Sequence, residues 1–173
     1  MAFTEPEVRS RELDAGLEVH LRVNGADRVA EGVSTTTVLG AYLRDELGLT
    51  DVKLACREGA CGACAVVFDG GSVPSCLVPL PRADGCSVLT ARHIAADPLG
   101  RRIVEAIVEH DAIQCGFCTP GFLCAAYALA RREPRGSPAE LREQVLEALA
   151  GHLCRCTGYR RIVDAVTQVL EQA

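Results

Sequence analysis

The chain has 173 residues, 49% apolar and 24% charged, and its 18 basic and 23 acidic side chains leave a net charge of −5. That balance argues against a nucleic-acid partner, because a phosphate-binding face must be basic. No apolar run approaches the roughly 20 residues that span a bilayer, so no membrane insertion is expected. The length allows one medium domain or two small ones.

Residues 1–16 mix both charge signs around no apolar centre. They read as an N-terminal extension rather than a secretory signal, which makes the cytoplasm the expected compartment. From Leu17 to Val23, apolar and polar residues alternate as in a half-buried strand. Asn24-Gly25 is a hairpin signal, with Val29 to Val33 returning as the partner strand. Ser34 and the threonines after it are the expected caps of a helix running to about Leu47, with Val38, Leu39, Tyr42, Leu43 and Leu47 on one face and Gly48 at its end. Ala65–Phe68 and Val73–Val78 read as a second hairpin about Asp69-Gly70-Gly71, and Ser87–Thr90 as a last strand.

Beyond Asp97-Pro98 the period becomes helical. Four apolar stripes follow: Ile103, Val104, Ile107 and Val108; Phe122, Leu123, Ala126 and Leu129; Leu141, Val145, Leu146 and Leu149; Ile162, Val163, Val166, Val169 and Leu170. Ser137-Pro138 reads as the entry to the third. The expected class is therefore α+β: an extension at 1–16, a small sheet domain at 17–92, and a four-helix bundle at 93–173.

Ten cysteines in a reducing compartment point to metal rather than to disulfides. Cys56, Cys61, Cys64 and Cys76 stand as C-x4-C-x2-C-x11-C, and the first three match the plant-type [2Fe–2S] spacing. Gly59 and Gly62 permit left-handed backbone in the short loop, whose N–H groups can then face an anionic cluster. Cys115 and Cys118 lie in QCGFCTPG, and Cys154 and Cys156 in HLCRCTGY, each pair at a helix boundary. Two helix-end loops facing one another can supply four thiolates to one cluster, beside helix N-termini whose N–H groups favour anions. On spacing alone, tetrahedral zinc stays open for both groups.

In order and spacing, CREGACGAC, QCGFCTPG and LCRCTGY resemble the iron–sulfur subunit of the molybdenum hydroxylases, the xanthine dehydrogenase, aldehyde oxidoreductase and carbon monoxide dehydrogenase family. The resemblance implies a β-grasp, ferredoxin-like domain followed by a four-helix domain, with two [2Fe–2S] clusters held by the eight cysteines above. It implies an oxidoreductase complex with a large molybdopterin-binding subunit and a medium FAD-binding subunit, the whole dimerised. Electrons would pass from molybdenum through the helical-domain cluster, then the ferredoxin-like cluster, towards FAD. Gln114 matches the glutamine that bonds the pterin, and Cys156 the cysteine nearest to it. Purine, aldehyde or N-heteroaromatic substrates fit the motif form better than carbon monoxide. His152 stands where the family often has asparagine and is read as a helix-end residue. Cys86 and Cys124 are read as packing residues and Tyr159 as core. A free-standing carrier and a zinc-binding interaction module are the competing functions.

Overall fold

The structure, a computed structural model, describes residues 16–172. The 1–16 extension therefore lies outside the described residues except for Gly16. Five strands form one mixed sheet: β1 (Leu17–Val23), β2 (Ala26–Val33), β3 (Ala65–Phe68), β4 (Gly71–Pro74) and β5 (Ser87–Leu89). They are ordered β2-β1-β5-β3-β4, with β1 and β5 parallel and the other neighbours antiparallel. Val19, Leu21 and Val23 of β1 are buried while His20 and Arg22 are exposed, as the sequence alternation requires. The helices are α1 (Leu39–Ala41), continued by a wider turn over Tyr42–Glu46, then α2 (Ala91–Ile94), α3 (Pro98–Glu109), α4 (Thr119–Ala130), α5 (Pro138–Leu149) and α6 (Arg160–Glu171). This α+β arrangement carries a ferredoxin-like fold. Among the described residues, no helix is long and apolar enough to cross a membrane.

Two expected elements are shorter than their patterns suggest, for one shared reason. Ser34 caps no helix; its hydroxyl pairs with Thr36, and α1 begins only at Leu39. The N–H groups of Leu39 and Gly40 donate instead to the carbonyls of Val78 and Ser75. That contact draws Ser75–Val78 out of the second hairpin, so β4 stops at Pro74 rather than continuing to Val78. Two positions in the helical stripes also face solvent, Val108 on α3 and Leu146 on α5.

The chain has two apolar cores, and β3 serves both. Val66 faces the core built from β1, β2 and α1; Ala65 and Val67 face the helices. A strand buried on both faces reads as an unbroken apolar run, as Ala65-Val66-Val67 does. Helix α4 closes the second core. It is buried from Gly121 to Ala128 and touches α2, α3 and α5 as well as β3 and β4. A helix apolar all round belongs in the interior, and its alanines allow close packing on every side.

At α5, Ser137 Oγ accepts from the Glu140 N–H at 3.4 Å, and the Ser137 N–H donates to the Glu140 carboxylate at 2.7 Å. The two form a capping box. Ser137→Ala is expected to lower stability by about 1 kcal/mol in chemical denaturation. The bonds from Ser137, backbone first, hold the Glu140 carboxyl below its ordinary pKa. Its contribution is thus present above the unfolded carboxyl's pKa and fades as pH falls through the lower folded value, so the difference between the proteins should narrow in acid.

Candidate metal centres

The first centre is assembled by backbone curvature. Arg57, Gly59 and Gly62 have positive φ (58°, 78° and 67°), which rolls the loop over on itself. The N–H of Glu58, then the Cys61 thiol, and further the N–H groups of Cys61 and Ala60 draw the Cys56 thiol down to about 7. Cys64 leads into β3, and Cys76 follows β4, both buried. Ser75 ties them together: its hydroxyl donates to the Cys64 carbonyl at 2.7 Å. Gly40 is what lets α1 sit against this link, since a Cβ there would lie 2.7 Å from Ser75 Oγ. Cys76 bonds the Cys64 thiol, and burial in the first place pushes Cys76 up to about 11.

The second centre joins two interhelical loops. Cys118 immediately precedes α4, and Cys115 lies just before it across Gly116, at φ 77°. Cys154 and Cys156 lie between α5 and α6, with Gly158 and Tyr159 both at positive φ, turning the chain into α6. The Cys156 thiol donates to Cys115 Sγ at 3.6 Å. Cys118 bonds the Cys154 thiol, although burial is the larger cause that pushes Cys118 up to about 12. Burial also acts upward on Cys154, but donors from Thr157, its hydroxyl at 3.2 Å, outweigh it and bring Cys154 down to about 7. Cys118 and Cys154 thus form an inner floor, while Cys115 and Cys156 form an exposed rim.

The eight cysteines expected as ligands lie in two regions of the fold, four in each. Their thiols influence one another two by two, Cys56 with Cys61, Cys64 with Cys76, and Cys118 with Cys154, while Cys156 and Cys115 are in direct hydrogen-bond contact at 3.6 Å. Among the described residues, no three His, Cys, Asp or Glu side chains converge as they would around one ion. Pairwise thiols with inward N–H donors fit a two-iron cluster, in which each iron takes two thiolates. The two loops also touch: the Leu153 N–H donates to the Cys61 carbonyl at 3.0 Å.

Other expectations divide. Gln114 is exposed, and its amide donates to the Cys156 carbonyl at 3.1 Å. Cys124 is fully buried, as a packing residue should be. Cys86 is half-buried, with its thiol directed to the carbonyls of Arg82 and Asp84 at the wall of an open cleft. Tyr159 is no core residue; it is 38% exposed, and its hydroxyl accepts from the Cys154 N–H at 3.0 Å. His152, read as an ordinary helix end, is buried against Phe122 with both ring nitrogens unpartnered. Sequence reasoning also missed Ser75 and Thr157, although each lies beside a motif cysteine.

Fold and sites define a ferredoxin-like electron carrier with two [2Fe–2S]-binding regions. Residues 21–91 match the model of a 2Fe-2S iron-sulfur cluster binding domain, and residues 90–167 that of a [2Fe-2S] binding domain. The chain is 42% identical to the nicotine 6-hydroxylase small subunit of Paenarthrobacter nicotinovorans, with 87% of each chain covered. It is 45% identical to xanthine dehydrogenase 1 of Arabidopsis thaliana, where 88% of this chain spans 12% of that protein. Quinoline 2-oxidoreductase from Pseudomonas putida 86 contains a chain that superposes with a TM-score of 0.77 at 35% identity, covering 91% of this chain and 95% of that one. The chain belongs to the family of iron–sulfur subunits of the molybdenum hydroxylases.

Tyr159→Phe removes the acceptor of the Cys154 N–H. The variant is expected to lose about 1 kcal/mol of stability. On heating, it should release iron from the helical half sooner, with the ferredoxin-like half unaffected, as followed by visible circular dichroism.

Proposed function

We propose that this chain is the two-cluster relay of a molybdopterin-dependent hydroxylase acting on an N-heteroaromatic compound. Cys56, Cys61, Cys64 and Cys76 would hold one cluster and Cys115, Cys118, Cys154 and Cys156 the other, each iron taking one of the close thiol pairs. When bound, the clusters supply one-electron carriage. The chain's own residues orient the thiolates, donate N–H groups to them and keep the inner pair of each site dry. We assign the ferredoxin-like cluster to a domain at 17–92 and the second to a four-helix bundle at 93–173, formed by α3 to α6. Ten free cysteines suit a reducing compartment, and we assign the complex to the cytoplasm.

The observation that carries this reading is the asymmetry of the second site. Its floor is buried at Cys154 and half-buried at Cys118, but its rim, Cys115 and Cys156, is open and fringed by Ile113, Phe117, Leu153 and Tyr159, all more than a third exposed. Apolar side chains gathered around an exposed pair of ligands suit a docking face, which disfavours a free-standing carrier. We assign this face to a large molybdopterin-binding subunit. Gln114 lies on the same rim and, besides its bond to Cys156, keeps a second N–H and its carbonyl oxygen for the edge of a pterin. At the other site, Leu77 is 54% exposed beside Cys76 and would face the acceptor, an FAD-binding medium subunit. The substrate class follows the relatives this chain matches almost end to end, which are named for nicotine and quinoline.

The purified complex should contain four irons and four acid-labile sulfides per copy of this chain, with two distinct electron paramagnetic resonance signals after reduction. Stoichiometric zinc, or half that iron, would overturn the assignment. Gln114→Ala should retain both signals yet slow their reduction by substrate in stopped-flow measurements; an unchanged rate would remove Gln114 from the pterin contact.

A further inference from the structure

We propose that Gly62, Gly121 and His152 are positioning residues that set the separation of the two clusters, and with it the rate of electron passage between them. The inference rests on the cluster assignment above. Gly62 directly follows Cys61, Gly121 lies in the first turn of α4 just after Cys118, and His152 stands two residues before Cys154. All three are buried. A Cβ on Gly121 would lie 2.3 Å from the Gly62 carbonyl oxygen and 3.3 Å from Ala63 Cα. A Cβ on Gly62, where φ is +67°, would lie 2.6 Å from the Gly151 carbonyl oxygen, 2.6 Å from His152 Cδ2 and 2.8 Å from its Cγ. The two cluster loops therefore meet with no room for one further carbon atom.

The contact is rigid as well as close. At Gly121 the opposing atoms are backbone, which cannot swing aside as a side chain can. On the other flank, the His152 ring is held between Gly62 and Phe122, its ring centre 5.3 Å from that of Phe122. Phe122 is itself 1% exposed within the helical core. His152 thus acts as a wedge: its carbon edge bears on the ferredoxin-like loop and its face on the helices. The Leu153 N–H, donating to the Cys61 carbonyl, closes the joint next to the wedge. Gly62, Gly121, His152 and Leu153 each lie within three positions of a cluster cysteine, so any widening of the joint moves thiolates with it. Electron tunnelling falls exponentially with separation, and two unpaired spins couple more weakly as they part, so both quantities report on this joint.

The test is Gly121→Ala in the intact, cluster-loaded complex. The 2.3 Å contact would have to open to at least 3.0 Å, the limit real Cβ contacts respect. Iron content and the g-values of each cluster should be retained. The magnetic splitting between the two reduced clusters, seen at low temperature, should shrink, and reduction of the ferredoxin-like cluster should lag behind that of its neighbour. Gly151→Ala, in the same loop as His152 but with open space at its Cβ, should leave the splitting unchanged. Unaltered splitting in Gly121→Ala with full iron, or an equal loss in Gly151→Ala, would overturn the proposal. If Gly121→Ala does not assemble, His152→Ala decides the matter by removing the wedge without adding an atom: a splitting changed in either direction, with full iron, supports the proposal and unchanged splitting overturns it. Failure of the cluster assignment itself is distinguishable, because it would appear in the unmutated protein as missing iron.

Discussion

Thiolates repel one another, and this chain crowds eight cysteine side chains into four close pairs. Much of the architecture is a response to that repulsion. Without metal, at least one member of most pairs keeps its proton: burial holds Cys76 and Cys118 up, and the bond to Cys115 raises Cys156. Two others are poised lower, Cys154, the partner of Cys118, by the donors of Thr157, and Cys56 by the N–H groups of its curled loop. The protein thus supplies part of the charge stabilisation from backbone N–H groups and the Thr157 hydroxyl and leaves the rest to a cation.

The same demand explains why the two halves do not stand apart. A strand that faces both cores and a helix buried along most of its length leave little freedom at their junction. β3 begins directly after Cys64 and α4 directly after Cys118, so each shared element starts beside a thiol it must hold still. Packing density here does the work that a linker could not, because a close-packed interior transmits a displacement rather than absorbing it.

The legible features were those written in short-range pattern. Alternation in Leu17–Val23, the Asn24-Gly25 turn and the Ser137-Pro138 entry each depend on neighbours in sequence, and each appears as expected. The errors fall where distant backbone intervened. Ser34 lost its helix because Val78 and Ser75 satisfy the first N–H groups of α1 from more than thirty residues away. Val73–Val78 was cut short by the same bonds. Tyr159 looked like core because it is aromatic, but its value lies in a hydroxyl that reaches the Cys154 backbone. The roles of Gly121 and His152 come from contacts with Gly62, and no local period encodes which glycine faces which.

The open rim at Cys115 and Cys156 has a consequence for the life history of the molecule. The floor thiols pack against the helical core, Cys154 buried and Cys118 half-buried, so the exposed rim is the more open side of the site. A subunit seated over the apolar fringe would shut that side. On the proposed docking, loading would have to precede assembly, and a copy filled beforehand would have its rim ligands covered by the act of docking. Iron supply, rather than partner abundance, would then set how much working complex a cell can build.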